Sequence, residues 1–360
     1  MSPSLRILYI AYPLLPVTEA SCGGAEQALL TLEREMARRG DATVVAAAAG
    51  SRVAGELYST GDPARLPDQL AWRDVEHNRR ILQLLEADDE FDLVHDMSGT
   101  FWKHAGQTSL PVLATLHLPP VLYSREMFEH FAPNLFFNCV SESQACSFAY
   151  LPRQLGVVQN GIDLKRFPRE MAGKASGKYL LWLGRICQEK APHLALEVAE
   201  RSGWPLVLAG SVYPFTYHRE YCEREVAPRL KRNPRARWIK SPTFSEKLVL
   251  LQHARALVIT SQIDETSSLV AMEAMACGIP VVALRRGAIP EVVADTRTGF
   301  VVESVEEMIA ALARVAEIDP HVCRQRVERH FSAARMADDF ERLYQRVLQA
   351  ASSRQTLQAA

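Results

Sequence analysis

Short apolar runs alternate with segments of helical period along almost all of the 360 residues, and this alternation restricts the fold more than any other property of the chain. Buried parallel strands read as continuous apolar runs, and each needs a crossover, usually a helix, to reach the next. Strands are predicted at Leu5–Ala11, Thr43–Ala49, Leu93–His95, Val112–Leu116, Leu135–Val140 and Leu155–Val158. Between the first two, Gly24–Arg39 places Ala25, Ala28, Leu29, Leu32 and Met36 at helical spacing, and Gly40 ends the pattern. A second series follows, with strands at Tyr179–Leu183, Leu206–Ala209, Arg237–Ile239, Leu257–Thr260, Val281–Leu284 and Phe300–Val302. The stretch Leu164–Lys178 between the series is poor in apolar residues and holds Lys165, Arg166, Pro168, Gly173, Ser176 and Gly177, the composition of a linker. The fold class is therefore α/β, with two doubly wound domains over 1–163 and 179–335 joined by the linker 164–178. A C-terminal helix over 336–360 is expected to pack back on the N-terminal domain, with a frayed tail from Ser352. Open parallel sheets bind ligands beyond the carboxyl ends of their strands, so a cleft between the two domains is the default site.

Composition narrows the partners. Hydrophobic residues at 48% and charged residues at 23% fit a soluble globular protein. A net charge of -1 supplies no global attraction to nucleic acid or to an anionic bilayer. No segment is long and apolar enough to span a membrane, which leaves peripheral membrane contact open. The eight Lys and Arg of Arg219–Lys240 are interleaved with Glu220, Glu223 and Glu225, as on a solvated helix and loop. Seven cysteines without a C-x-x-C pair support neither a metal cluster nor a disulfide framework, and a reducing cytoplasm is the natural reading.

The most specific segment is Asp264–Ala283. An apolar strand ends at Thr260, a polar loop follows, a helix is predicted from Ser267 or Ser268, and Gly278 closes it before a strand from Pro280. Backbone N–H groups at Ser268, Leu269 and Val270 then form a ready diphosphate site. Glu265 and Glu273 flank this start with seven residues between them. Eight residues of helix would rise roughly 12 Å and return to nearly the same face. Isolated, such a pair reads as two solvated helix residues; in this setting it suits a ligand with a hydroxylated ring at each end and a diphosphate between. The stretch Leu183–Ala195 places Arg185 and Lys190 after a strand, where a fork and a point charge can meet a diphosphate. After the first strand, Gly23 and Gly24 open a helix and let a phosphate or sugar approach the backbone. They do not form G-x-G-x-x-G, so a nicotinamide site gets no support.

These segments resemble glycosyltransferase family 4, retaining enzymes of the GT-B fold, in which two Rossmann-like domains face each other. The resemblance is closest over Glu273–Ala283; Thr266, Ser267 and Ser268 stand where the family carries a glycine-containing pattern. Gly184-Arg185 with Glu189-Lys190-Ala191 is similar to a second family motif, with Ala191 in place of glycine. Gly23-Gly24-Ala25-Glu26 and Thr115-x-His117 match others, as do Val140–Ser143, Asn160–Asp163 and Gly287–Glu291. The resemblance implies transfer of a sugar, with retention, from a nucleoside diphosphate sugar (UDP-sugar favoured) to a hydroxyl of a carbohydrate, lipid-linked or small-molecule acceptor, in polysaccharide or glycoconjugate synthesis. It implies a catalytic set of Glu265, His117, Arg185 and Lys190. Arg185 and Lys190 offset the diphosphate charge with amides near Leu269 and Gly24. Glu265 takes hydroxyls of the donor sugar, Glu273 holds the ribose, and His117 orients the sugar. Gly23, Ser267, Ser268 and Val270 complete the donor contacts. Apart from the resemblance, His95 and Asp96 end another strand, where they are candidates for the acceptor side. No D-x-D motif occurs, so neither a metal nor a cofactor beyond the donor is expected. Two other functions fit the same motifs: a nucleotide-sugar epimerase of the same shape, and a non-catalytic nucleotide-sugar-binding subunit.

Overall fold

The computed structural model describes residues 4–21, 23–64, 67–123, 125–168 and 177–359. Cys22, beside the glycine pair, and residues 169–176 of the expected linker lie outside the described residues. The chain divides into two compact units, residues 1–161 with 333–360, and residues 162–332.

In the first unit, seven parallel strands form a sheet in the order β3-β2-β1-β4-β5-β6-β7. They are β1 (Arg6–Ile10), β2 (Ala42–Ala47), β3 (Glu56–Ser59), β4 (Leu93–Asp96), β5 (Val112–Leu116), β6 (Leu135–Cys139) and β7 (Gln154–Val157). Side chains alternate across a strand, and β1 shows the consequence. Ile7 and Tyr9 enter the core on one face, while Leu8 and Ile10 enter the core on the other. Both faces are covered, which is why the strand reads as an unbroken apolar run. The helices Gly24–Arg39 and Ala333–Ala359 cover the first face. The helix Pro67–Ala87 and the 3-10 turns of Phe101–Gln107 cover the second.

The C-terminal helix places Met336, Ala337, Phe340, Leu343, Tyr344 and Val347 in the first of these cores. Each large side chain buried stabilises by about 1.5–3 kcal/mol, so the helix contributes on the order of 10 kcal/mol gross before entropy is counted. Arg39 pairs with Asp338 at 2.8 Å and Glu341 at 2.9 Å, and Arg346 donates to the Leu155 carbonyl at 2.8 Å. The helix runs to Ala359, past the Ser352 where the sequence predicts fraying.

Strand β3 is absent from the sequence-based expectation. It is four residues long, lies at the sheet edge and has exposed ends, so it lacks the apolar run of an inner strand. Its approach is fixed by Glu33, a fully buried carboxylate that accepts from Thr43 Oγ1 at 2.9 Å, Gly55 N at 2.7 Å and Ala54 N at 3.0 Å.

The second unit holds six parallel strands in the order β10-β9-β8-β11-β12-β13. They are β8 (Tyr179–Leu183), β9 (Leu206–Ala209), β10 (Ala236–Ile239), β11 (Ala254–Ile259), β12 (Val281–Leu284) and β13 (Gly299–Val302). In each unit the chain winds outward from a central strand in one direction and then in the other. The strand order therefore reverses between β1 and β4, and between β8 and β11. At such a switch point the loops after the two strands diverge and leave a crevice.

Candidate functional site: the loops after β8 and β11

The loop after β8 carries Arg185 and Lys190, and the loop after β11 carries Glu265. Both therefore lie at the switch point of the second unit. The two loops are stitched together. Thr260, the residue after β11, donates its hydroxyl to the carbonyls of Lys190 at 3.1 Å and Ala191 at 2.9 Å, and accepts from Trp182 Nε1 at 3.2 Å. Gln262 N donates to the Glu189 carbonyl at 2.8 Å. Lys190 Nζ reaches both oxygens of Glu265, at 2.6 and 2.7 Å, and Ser261 Oγ donates to Oε1. Lys190 and Glu265, predicted as separate contacts for diphosphate and sugar, thus hold each other in place. Arg185 sets its guanidinium over the Tyr213 ring, 5.3 Å from the centroid.

Two glycines are required by close approach. A Cβ on Gly210, after β9, would lie 1.8 Å from the carbonyl oxygen of Gly184, so the base of the Arg185 loop seats directly on backbone. A Cβ on Gly287, whose φ is +50, would lie 2.3 Å from the Glu265 carbonyl oxygen. That carbonyl accepts from Ala288 N at 2.7 Å, and Asp264 Oδ1 accepts from Gly287 N at 3.0 Å. The segment after β12 thus braces Glu265 from a third strand end. Ala191, where the family motif has glycine, adopts the left-handed conformation at φ 47, ψ 52.

The helix after this loop is Leu269–Ala276, with Ser268 at the N-cap. The sequence suggests a serine cap; the structure corrects this, because no side chain caps this end and Ser268 is turned to φ -146, ψ 85. The first-turn amides of Leu269 and Val270 are left for another acceptor. The spacing between the glutamates also needs correction. Residues 265–268 are loop, so helical geometry applies to Glu273 alone. Glu273 is buried, pairs through Oε1 with Lys247 Nζ at 2.6 Å, and keeps Oε2 buried without a hydrogen-bond partner. Sequence reasoning did not find Lys247, which comes from the helix Phe244–Gln252 and carries no local motif.

In the first unit, Gly23 is the N-cap and Gly24 the first residue of the helix Gly24–Arg39. The space that Gly23 leaves is filled by the Glu26 carboxylate, 1.8 Å from where a Cβ would stand. His117 follows β5, and desolvation lowers its pKa to about 4, so the imidazole is neutral at pH 7. His95 and Asp96 do not line an acceptor surface, because both are fully buried. His95 Nδ1 meets the Tyr344 hydroxyl at 2.7 Å and Nε2 meets Thr115 Oγ1 at 2.6 Å. Asp96 accepts from Ser98 N at 2.8 Å, Ser98 Oγ at 2.6 Å and Trp102 N at 2.8 Å, closing the turn after β4. Both are scaffold residues.

Two doubly wound parallel α/β units, each with a crevice at its switch point, are the elements of the GT-B fold. The family comparison matches the model "Glycosyl transferases group 1" over residues 166–330 and "Glycosyltransferase Family 4" over residues 22–166. The chain belongs to glycosyltransferase family 4, of the group 1 type. It is 32% identical over 160 residues to a D-inositol 3-phosphate glycosyltransferase of Mycobacteroides abscessus, covering 42% of this chain and 36% of that protein. A second protein of that name, from Corynebacterium efficiens, is 29% identical over 219 residues, covering 54% and 51%. The match spans about a third to a half of the length of these relatives. Sucrose-phosphate synthase from Thermosynechococcus elongatus shares the fold, with TM-score 0.76 at 17% identity over 96% of this chain and all of that one. Anabaena HepE in complex with UDP and glucose does so with TM-score 0.73 at 17% identity, over 94% and 99%.

Proposed function

We propose that the protein is a retaining glycosyltransferase that moves a sugar from a nucleoside diphosphate sugar, UDP-linked by preference, to an acceptor hydroxyl. The observation that carries this reading is the bidentate Lys190–Glu265 pair, built from the loops after β8 and β11 beside an uncapped helix start. A donor diphosphate at the Leu269 and Val270 amides takes the helix field and Lys190 as its counter-charge, with Arg185 adding a fork. Lys190 then lies between the leaving group and Glu265, and Glu265 accepts from the donor sugar. The unsatisfied Oε2 of Glu273 suits a ribose hydroxyl. Catalysis is positioning and electrostatic stabilisation of the departing diphosphate, a phosphate oxygen of which takes the acceptor's proton. This chemistry needs no metal on the diphosphate. His117, neutral at working pH, orients the sugar.

The names of the relatives favour a phosphorylated cyclitol such as D-inositol 3-phosphate as acceptor. The test is incubation with UDP-, GDP- and ADP-sugars against cyclitol phosphates, free sugars and lipid-linked acceptors, read by NMR. The expected product keeps the donor's anomeric configuration. An epimerised donor without acceptor, or UDP binding without turnover on any acceptor, would refute the reading.

A further inference from the structure

The loop that carries Arg185 and Lys190 holds a second cluster that the donor site does not use. Cys187 Sγ, a Glu189 carboxylate oxygen and a His218 ring nitrogen all lie within 4.8 Å of one another. Cys187 is fully buried, His218 is 1% exposed, and Glu189 is half-buried. Cys187 and Glu189 come from the loop after β8, and His218 from the helix Thr216–Tyr221 after the adjacent strand β9.

Two features mark this as more than a chance meeting of polar groups. Both ring nitrogens of His218 are buried without a hydrogen-bond partner, and so is Oε2 of Glu189. Leaving such groups unsatisfied is costly, so buried polar atoms with nothing to bind call for an explanation. The ring is also held rigidly, with aromatic centroids of Tyr217 at 4.3 Å, Phe215 at 5.3 Å and Tyr213 at 6.3 Å.

We infer that Cys187, Glu189 and His218 form a binding site for a divalent transition metal, of which Zn²⁺ fits best. Thiolate, imidazole and carboxylate are its usual donors, and three protein ligands leave the fourth tetrahedral position to water. Bond lengths of about 2.0–2.3 Å to one ion require three ligand atoms that lie within reach of a common centre, as these do. Binding forms Zn–S, Zn–N and Zn–O bonds and releases the Cys187 thiol proton to solvent. The metal would tie the Arg185–Lys190 loop to the helix after β9. The ligands are not contiguous in the sequence, which is why no metal motif is visible there.

The inference does not depend on the proposed transfer reaction, and neither does its test. Full-length protein stripped with a chelator is titrated with Co²⁺ and Zn²⁺. Expected are one equivalent of Zn²⁺, a Tm that rises with Zn²⁺ concentration, and a thiolate-to-cobalt charge-transfer band that Zn²⁺ displaces. Cys187→Ser should abolish that band, and Glu189→Gln and His218→Gln should each weaken Zn²⁺ binding by about tenfold or more. Absence of the band in folded wild type would overturn the site, as would its survival in Cys187→Ser. If Cys187→Ser fails to fold, unchanged Zn²⁺ affinity in the near-isosteric Glu189→Gln overturns it equally.

Discussion

Replacing Lys247 by Met tests how much the nearly dry Lys247–Glu273 pair contributes to stability. The ion pair is 2.6 Å long, and its side chains are only 14% and 4% exposed. Methionine keeps most of the stem's volume but removes the only cation bonded to Glu273 among the described residues. Breaking a buried pair from one side typically costs 3–5 kcal/mol, because the remaining charge stays desolvated. The slight exposure of Lys247 puts the value near the lower end, about 3 kcal/mol, or a fall in Tm of about 10 °C for a unit of this size. Glu273→Gln should cost only about 1 kcal/mol, since the lysine can turn its head to water. The double variant should then be about 2 kcal/mol more stable than the sum of the single losses predicts. Calorimetric unfolding of the four proteins reads all three quantities. A Lys247→Met loss below about 1 kcal/mol, or strict additivity, would refute a stabilising buried Lys247–Glu273 pair.

Gly287→Ala should destabilise by about 2 kcal/mol or more and raise the donor KM, since the added Cβ meets the Glu265 carbonyl oxygen at 2.3 Å; wild-type KM in the variant would contradict the brace. Tyr344→Phe should cost about 1–3 kcal/mol in urea unfolding, by leaving His95 Nδ1 without its 2.7 Å partner, while kcat and KM for the donor stay unchanged. A kinetic effect without a stability loss would return His95 to the reaction. Burial lowers the pKa of His77 from 6.5 to about 4, so the unfolded chain binds the extra proton first as pH falls. Stability is therefore complete above pH 6.5 and declines between 6.5 and 4, by about 3 kcal/mol from this residue. His77→Asn should flatten that acid limb in pH-dependent denaturation.

Sequence and structure agree where burial is two-sided. Strands β5, β8, β9 and β12 begin and end where their apolar runs do, because each inner strand faces a core on both sides. Strand β3 escaped notice because an edge strand with exposed ends has no such run. The positions of Arg185, Lys190 and Glu265 on strand-end loops are legible because the ends of the apolar runs are visible along the chain. What occupies those residues is not. His95 looked available at the end of β4, yet its partner Tyr344 lies 249 residues away on the last helix, and no local pattern records that contact. Lys247 is hidden for the same reason. The family motif names the glutamate, while its cation comes from a helix chosen by tertiary packing.

The central claim is that the loops after β8 and β11 bind the diphosphate of a nucleotide-sugar donor through Lys190. Calorimetric titration of UDP and of a stabilising UDP-sugar into wild type and Lys190→Ala tests it most directly, with circular dichroism confirming the fold of each. The predicted result is an affinity at least about tenfold weaker in the variant, the loss of one charge-assisted contact of 1.5–3 kcal/mol, with turnover at saturating donor also reduced. Undiminished affinity and full turnover in folded Lys190→Ala would contradict it.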